Sequence, residues 1–177
     1  MTIRALPLPA RVAVDGIDAA GKTTLADELA GVVPGAARVS ADEFLRPERE
    51  RYRRGRESPE GFYEDSFDHE RLRAAVLAEM LVIVDGVFLL RPELDDLWTF
   101  RIFVAVHLKE AVRRGVERDA ARHASREAAK RLYRTRYAPG QRLYLDAVRP
   151  RERADAVVDN NDPDAPVLTA GGGAARR

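Results

Sequence analysis

One stretch near the amino terminus constrains this chain more than any other feature. Residues 16–24 read Gly-Ile-Asp-Ala-Ala-Gly-Lys-Thr-Thr and fit the pattern Gly-x-x-x-x-Gly-Lys-[Ser/Thr] without a mismatch. Successive backbone N–H groups of such a glycine-rich turn converge on one point, and the positive end of the following helix adds to them. The stretch is therefore predicted to bind phosphate groups.

Residues of this loop have separate predicted roles. The residues expected to contact phosphate oxygens are Gly16, Ala19, Ala20, Gly21, Lys22, Thr23 and Thr24. Lys22 is predicted to reach the β- and γ-phosphates of ATP, and the Thr23 hydroxyl is predicted to ligate Mg²⁺. Only three of the 30 basic residues are lysines, and one of them stands where the loop needs a slim ammonium group.

The segments on either side give the loop the expected context. The run Arg11–Asp15 is rich in β-formers and predicts a short strand. After the loop, the spacing of Leu25 and Leu29 predicts a helix over 24–33, which Pro34 ends. Because a strand, a loop and a helix follow in this order, a chance glycine-rich turn is the weaker interpretation.

Four more apolar runs predict the remaining strands. They cover 36–41, 81–88, 100–108 and 154–159. Helical segments separate these runs, which predicts a three-layer α/β fold of the P-loop type, with about five parallel strands flanked by helices and joined by right-handed crossovers. The domain is expected to cover 1–162. The remainder, 163–177, contains three consecutive glycines and is expected to be a flexible tail.

Two acidic residues are predicted to stand at strand ends. Asp42 follows the second strand, and Asp85 ends the third. Ligands of α/β sheets bind at the carboxyl ends of the strands, so both residues are candidates for chemistry. Asp85 is predicted to hold Mg²⁺ together with Thr23, as the acid after a buried strand does in phosphate-loop proteins. A structural role remains open for both, and for Asp42 it would be that of a helix cap or turn residue.

Arginine is concentrated in two stretches. Arg114, Arg118 and Arg122 lie four residues apart, on one face of a helix predicted over 109–122. Such a row can bind phosphate, or it can be a solvated face paired with neighbouring acids. The polar stretch 46–64 contains six arginines. It is predicted to be either a solvated loop or frayed helix, or a mobile flap that turns one or two arginines inward.

Composition argues against several classes of function. The formal net charge of +1 gives no electrostatic reason to expect a nucleic-acid or membrane partner. No segment approaches the roughly 20 apolar residues of a membrane span, and the protein is expected to be cytoplasmic. The chain has no cysteine, and its three histidines are isolated, so neither a disulfide nor a zinc enzyme is predicted. The oligomeric state is left open.

In combination, these motifs resemble the uridine kinase family, within the wider group that contains phosphoribulokinase and the P-loop pantothenate kinases. The likeness covers about 11–162. The segments that carry it are Asp15-Gly16, Asp42-Glu43-Phe44, 85–94, Arg118-Asp119 and 154–160. The combination, and not the phosphate loop alone, selects the family.

The resemblance implies a role for each of five residues. Asp42 matches the acid that takes the proton from the substrate hydroxyl. Thr23 and Asp85 match the metal shell, where the family often has glutamate in place of Asp85. Arg114 and Arg118 match the lid region, whose arginines contact substrate and phosphates.

The chain departs from the family pattern where a base would be held. Segment 57–68 resembles the nucleoside-contacting stretch, in which two registers fit. Family members usually have a few dozen further residues before the strand that ends at Asp85. Those residues include a hairpin whose aromatic residue and histidine help to hold the base. Here Met80 is followed at once by Leu81, so the hairpin is expected to be missing.

Together, these features predict an enzyme that uses ATP and Mg²⁺ to phosphorylate a hydroxyl group of a small molecule. The 5′-hydroxyl of a nucleoside such as uridine is the first expectation. A kinase of the same fold that acts on a sugar or a pantothenate-like alcohol is the nearest alternative, and a non-catalytic nucleotide-binding protein is a more distant one. A Ras-type GTPase is not expected, because the chain has no Asn-Lys-x-Asp sequence. The serine-glycine signature of a transporter ATPase is also missing.

Overall fold

A six-stranded sheet forms the centre of the computed structural model, which describes residues 3–173. The strands are β1 (Ala10–Gly16), β2 (Ala37–Ser40), β3 (Leu81–Gly86), β4 (Phe100–Ala105), β5 (Ala156–Asp159) and β6 (Val167–Ala170). Their order is β2-β3-β1-β4-β5-β6, with β1 to β5 parallel and β6 antiparallel to β5. The predicted α/β class with a parallel sheet is confirmed.

Helices connect and cover these strands. The α-helices are α1 (Lys22–Val32), α2 (Glu48–Arg51), α3 (Pro59–Asp65), α4 (His69–Leu77), α5 (Leu108–Asp119), α6 (Arg126–Leu132), α7 (Ala138–Val148) and α8 (Pro150–Arg153). Turns of 3₁₀-helix lie at Ile3–Ala5, Ala41–Phe44 and Pro92–Leu97, and a π-helical turn lies at Tyr133–Tyr137. Within residues 3–173, no helix combines the length and apolar composition that a membrane span requires.

The side chains of β1 alternate between two apolar cores, one on each face of the sheet. Val12 and Val14 face a core to which α1 contributes Ala26 and α5 contributes Ala111. Ala13 faces the other core, which is built with α3, α4 and α7. Successive side chains of a strand point to opposite faces, so a strand that is apolar throughout is covered on both sides. The molecule is therefore the predicted three-layer fold.

The carboxyl ends of the central strands meet at one edge of the sheet. Asp15 of β1 lies beside Gly86 of β3, and Ser40 of β2 lies beside Asp85. The phosphate loop leaves β1 at this edge, and α1 begins with Lys22. This edge is where α/β sheets bind ligands. The fold therefore brings the predicted loop and the predicted acids to the same place.

The sheet has one strand more than the sequence predicts. β6 lies within 163–177, the stretch that the sequence analysis assigns to a flexible tail, and its backbone pairs with β5. The side chains of β6 are all exposed. An edge strand without a buried face has no apolar alternation to indicate it, so the local pattern gives no sign of pairing. Residues 174–177 of the predicted tail lie outside the described residues.

The polar stretch 46–64 contains α2 and most of α3, and it is attached to the body of the protein. Asp65, at the end of α3, is 1% exposed. Its two carboxylate oxygens accept hydrogen bonds of 2.5 Å from Arg53 and 2.9 Å from Arg54. Two of the arginines in this stretch thus turn toward a buried acid.

The helical stretch between α5 and β5 is interrupted by the π-helical turn. α6 ends at Leu132, the π-helical turn follows, and α7 begins at Ala138. π-helical turns occur frequently at functional sites, because the extra residue in the turn redirects the side chains around it. Here the turn carries Tyr133 and Arg136, both of which are buried.

Candidate active site

The phosphate loop follows a backbone path that its glycines allow. Gly21 has a φ of 95° and Ala19 a φ of 55°, both in the left-handed region. Gly16 packs against β4, where an added Cβ would lie 2.6 Å from the carbonyl oxygen of Val104. Glycine has no Cβ, so it allows the positive φ at Gly21 and the close approach to β4 at Gly16 without a steric clash. The motif spacing is therefore explained by a positive φ at Gly21 and by close packing at Gly16.

Lys22 and Ala20 show how the loop is held in place. Lys22 is 9% exposed, and its Nζ donates a hydrogen bond of 2.9 Å to the carbonyl oxygen of Ile17. The ammonium group is thus folded back against the loop that it follows. The carbonyl oxygen of Ala20 accepts a hydrogen bond of 2.7 Å from Nδ2 of Asn160, just after β5. Both contacts hold the loop in this conformation.

Thr23 and Asp85, the predicted Mg²⁺ ligands, lie next to each other. Thr23 Oγ1 donates a hydrogen bond of 2.6 Å to Asp85 Oδ2, and Asp85 Oδ1 lies 2.8 Å from Nη2 of Arg38 on β2. A hydroxyl and a carboxylate are hard oxygen donors, which suit Mg²⁺, and this ion usually takes its other ligands from water and substrate phosphates. Residues 3–173 hold no cluster of three or more acidic, histidine or cysteine ligands. The pair fits a Mg²⁺ ion that also contacts phosphate.

A cavity of about 380 Å³ opens beside the loop, and we call it the Asp42 cavity. Asp42 lies in the 3₁₀ turn after β2 and lines the cavity together with Asp18 of the loop and Arg118 of α5. The other charged and aromatic residues of its lining are Arg51, Arg122, Arg136, Asp119, Tyr52, Phe62, Phe67, Tyr133 and Tyr137. Convergent polar groups between aromatic walls are typical of a site for a small polar molecule.

Asp18 is a second carboxylate of this cavity that the sequence analysis does not single out. Gln141 of α7 donates from Nε2 to Asp18 Oδ2 at 2.7 Å and accepts from the Asp18 N–H at 3.0 Å. Burial raises the pKa of Asp18, while the charges of Lys22 and Arg118 lower it and the charge of Asp42 raises it further. Asp18 is therefore held in a fixed position near both Lys22 and Asp42.

The two predicted lid arginines have different surroundings. Arg114 donates to the carbonyl oxygens of Asn160 at 3.0 Å and Asn161 at 2.7 Å, and it does not line the Asp42 cavity. Arg118 lines that cavity and donates to Asp119 at 2.9 and 2.8 Å. The structure thus brings Arg118, and not Arg114, to Asp42. A shared helix face does not give the two arginines a shared site.

A second cavity, of about 330 Å³, is lined by other residues of the same loop. Its lining consists of Ala19, Gly21, Thr24, Leu25, Glu28, Val104, Arg114, Val158, Asn160, Pro163 and Pro166. We call it the Asn160 cavity. Loop residues predicted to bind phosphate line this cavity, whereas Asp18 lines the other one. The phosphate loop therefore borders two separate cavities.

The connection between α4 and β3 is short. α4 ends at Leu77 and β3 begins at Leu81, and the N–H of Ala10 donates to the carbonyl oxygen of Met80 at 2.8 Å. Three residues cannot form a hairpin of the kind that the resemblance would place here. The aromatic residues of the Asp42 cavity come instead from α3, the π-helical turn and neighbouring loops.

Known proteins resemble this chain in fold, and none of the comparisons shows a closer relationship. No protein-family model matches the chain, and no curated protein matches it in sequence. A proposed fructose transport system kinase from Silicibacter sp. TM1040 superposes with a TM-score of 0.68 at 20% identity, covering 84% of this chain and 96% of that one. A proposed uridine kinase from Bacillus stearothermophilus gives a TM-score of 0.60 at 20% identity, over 84% and 87%.

A third similar structure is the shikimate kinase from Bacteroides thetaiotaomicron. Its TM-score is 0.51 at 17% identity, over 88% of this chain and 89% of that one. The chain shares its α/β fold with these three proteins. At such identities the likeness concerns the fold alone, and it leaves the acceptor of any reaction open.

Proposed function

We propose that this protein is a kinase that transfers the γ-phosphoryl group of ATP to a hydroxyl group of a small molecule. One observation carries the proposal: the phosphate loop borders two cavities, and the one on the side of Asp18 contains Asp42 and Arg118. A nucleotide bound from the Asn160 cavity would place its terminal phosphate at the loop. The acceptor would then occupy the Asp42 cavity, within reach of that phosphate.

The proposed reaction is a direct displacement. The acceptor hydroxyl oxygen attacks the γ-phosphorus and forms a new P–O bond, and the bond from the γ-phosphorus to the bridging oxygen breaks. ADP leaves with that electron pair. The hydroxyl proton goes to a carboxylate, for which we propose Asp42, since it lines the acceptor side of the loop and a base must stand within hydrogen-bond reach of the proton. Asp18, held by Gln141, would orient the same hydroxyl.

Charge at the γ-phosphate is balanced by residues from three elements. Lys22 would leave the Ile17 carbonyl for phosphate oxygens, and Arg118 approaches from α5. Thr23 and Asp85 would hold a Mg²⁺ ion, which would supply Lewis-acid stabilisation of the phosphate oxygens when bound. Preorganised charges of this kind are usually the largest contribution to catalysis of phosphoryl transfer.

Two classes of acceptor are supported by different observations. A nucleoside such as uridine is supported by the family resemblance, by the likeness to the proposed uridine kinase and by the aromatic walls of the Asp42 cavity. A sugar or pantothenate-like alcohol is supported by the short α4–β3 connection, which leaves no hairpin to hold a base, and by the likeness to the proposed fructose transport system kinase.

The test is a panel of acceptors assayed for ADP release and, by mass spectrometry, for the phosphorylated product. The panel comprises uridine, cytidine, adenosine, ribose, fructose and pantothenate, each with ATP and Mg²⁺ and again after chelation of the metal. We expect one group of alcohols to give product at a rate that requires Mg²⁺. Binding of ATP without product from any alcohol would favour the non-catalytic alternative.

A further inference from the structure

Two arginines at the Asp42 cavity lack an acidic partner among residues 3–173. Arg136, on the π-helical turn, is 3% exposed, and Arg51, at the end of α2, is half-buried; both line the cavity. The nearby aspartates form ion pairs with other arginines. Arg118 and Arg122 pair with Asp119, and Arg53 and Arg54 pair with Asp65.

Neutral groups hold the guanidinium of Arg136. It donates to the carbonyl oxygens of Ser58 at 3.1 Å, Arg56 at 3.4 Å and Arg51 at 3.5 Å. Its Cζ also lies 5.0 Å from the ring centre of Tyr52. Burial lowers the pKa of Arg136, and the charge of Arg51 acts in the same direction. A buried cation without a counter-ion is costly, because neutral partners do not cancel its charge.

Arg51 is unsatisfied in a second way. Its Nε is buried and has no hydrogen-bond partner in the described part of the chain. A buried donor without an acceptor costs the desolvation free energy of that group. A native structure usually satisfies such a donor by a contact with solvent or a ligand. Arg51 and Arg136 thus bring a buried, unsatisfied donor and an uncompensated positive charge to the lining of one cavity.

The surrounding acids cannot compensate for this charge. Asp65 is the carboxylate with the strongest effect on Arg136, and Arg53 and Arg54 already bind both of its oxygens. The charges with the largest effect on Asp18 are different ones, namely those of Lys22, Arg118, Asp42 and Asp119. The Asp42 cavity is therefore polarised, with acids beside the phosphate loop and uncompensated positive charge beside α2.

We infer that the acceptor carries an anionic group, a carboxylate or a phosphate, that binds Arg51 and Arg136 while its hydroxyl lies toward Asp42. Planar guanidinium groups bind both anions through paired hydrogen bonds. The inference rests on the proposed function for the hydroxyl end of the acceptor. It narrows the choice between acceptor classes, because a neutral nucleoside would leave both guanidinium groups unpaired and an acidic alcohol would not.

Binding is tested without turnover. Phenyl phosphate, which combines an aromatic ring with an anion, is titrated calorimetrically into protein saturated with Mg²⁺ and ADP, so that the phosphate loop is already filled. Arg51→Gln and Arg136→Gln are each expected to weaken binding about tenfold or more, the loss typical of a charged hydrogen bond. Arg49→Gln, at a side chain 85% exposed on the same helix as Arg51, is the control and should bind like wild type.

A variant that fails to fold would also fail to bind, and the two variants differ in how far the substitution is expected to affect stability. Arg136 donates to three carbonyl oxygens, so its variant can lose stability. The Nε of Arg51 has no partner to lose within residues 3–173, so Arg51→Gln should melt like wild type. Unchanged affinity in a folded Arg51→Gln variant would overturn the inference. Equal binding of the neutral analogue benzyl alcohol would overturn it as well.

Rates of phosphorylation then test the anion site separately from the proposed kinase activity. Pantothenate is compared with pantothenol, and ribose 5-phosphate with ribose. The carboxylate and phosphate pairs also distinguish the two anions. We expect kcat/KM to be at least about tenfold higher for an anionic member, and this preference to be lost in Arg51→Gln. Equal turnover of the neutral members would preserve the kinase activity and refute the anion site.

Discussion

Replacing Asp15 by asparagine is expected to remove a pH dependence from the stability of the protein. Asp15 is 0% exposed at the end of β1, where it accepts hydrogen bonds from Tyr144 Oη and, at 3.2 Å, from the N–H of Leu89. Burial raises its pKa from 3.8 to about 6, although both hydrogen bonds act in the opposite direction. The folded protein therefore binds this proton more tightly than the unfolded chain does.

The size and the sign of the effect follow from these pKa values. A tenfold change in proton affinity is worth about 1.4 kcal/mol, so a pKa raised from 3.8 to about 6 corresponds to about 3 kcal/mol. This stabilisation is fully present below the unfolded pKa and is lost as the pH rises through the folded pKa. Asparagine does not titrate. Wild type should therefore lose about 3 kcal/mol relative to Asp15→Asn between about pH 4 and pH 7.

Urea unfolding at a series of pH values measures this difference. The asparagine side chain of the variant can still accept from the N–H of Leu89 and hydrogen-bond to Tyr144, so the variant should fold. Asp146→Asn, at an exposed position of α7, is the control and should follow the wild-type pH profile. Parallel curves for wild type and Asp15→Asn over this range would refute the reasoning, because they would mean that Asp15 titrates alike in both states.

Two further substitutions test the loop and the acceptor side. Gly21→Ala should weaken ATP binding and cost about 1–3 kcal/mol of stability. The φ of 95° is unfavourable for alanine, and the new Cβ would lie 2.5 Å from Nδ2 of Asn160. ATP titration measures the loss of affinity and thermal unfolding the loss of stability, and wild-type values in both would contradict the packing described. Asp42→Asn should lower kcat strongly and leave ATP affinity nearly unchanged. If it instead weakened ATP binding and spared kcat, Asp42 would contact the metal or the nucleotide and would not be the base.

The parts predicted from the sequence are those with a local signal. The loop, the strands around it and the position of Asp85 next to Thr23 follow from short motifs and from apolar runs, and the structure has them where expected. The Asp18 contact does not follow, since Gln141 lies 123 residues away in the sequence. Asp18 occupies one of the x positions of the phosphate-loop motif, at which any residue is allowed. The motif therefore gives no indication of its role.

Arginine roles were the least predictable from sequence. Arg114 and Arg118 share a helix face, but the carbonyl oxygens after β5 bind Arg114, whereas Arg118 reaches the Asp42 cavity. Arg51 and Arg136 come together because the π-helical turn packs beside α2 and α3. Periodicity indicates which side of a helix a residue occupies. It does not indicate which distant carbonyl or carboxylate will neutralise the charge.

The central claim is that the phosphate loop performs phosphoryl transfer, and transfer of labelled phosphate from ATP to the best acceptor by Lys22→Ala tests it most directly. Loss of one preorganised charge contact typically costs on the order of 3–4 kcal/mol, so kcat should fall about 10²- to 10³-fold. Lys130→Ala, at an exposed position of α6, should retain wild-type activity. A folded Lys22→Ala variant with near-normal turnover would contradict the account.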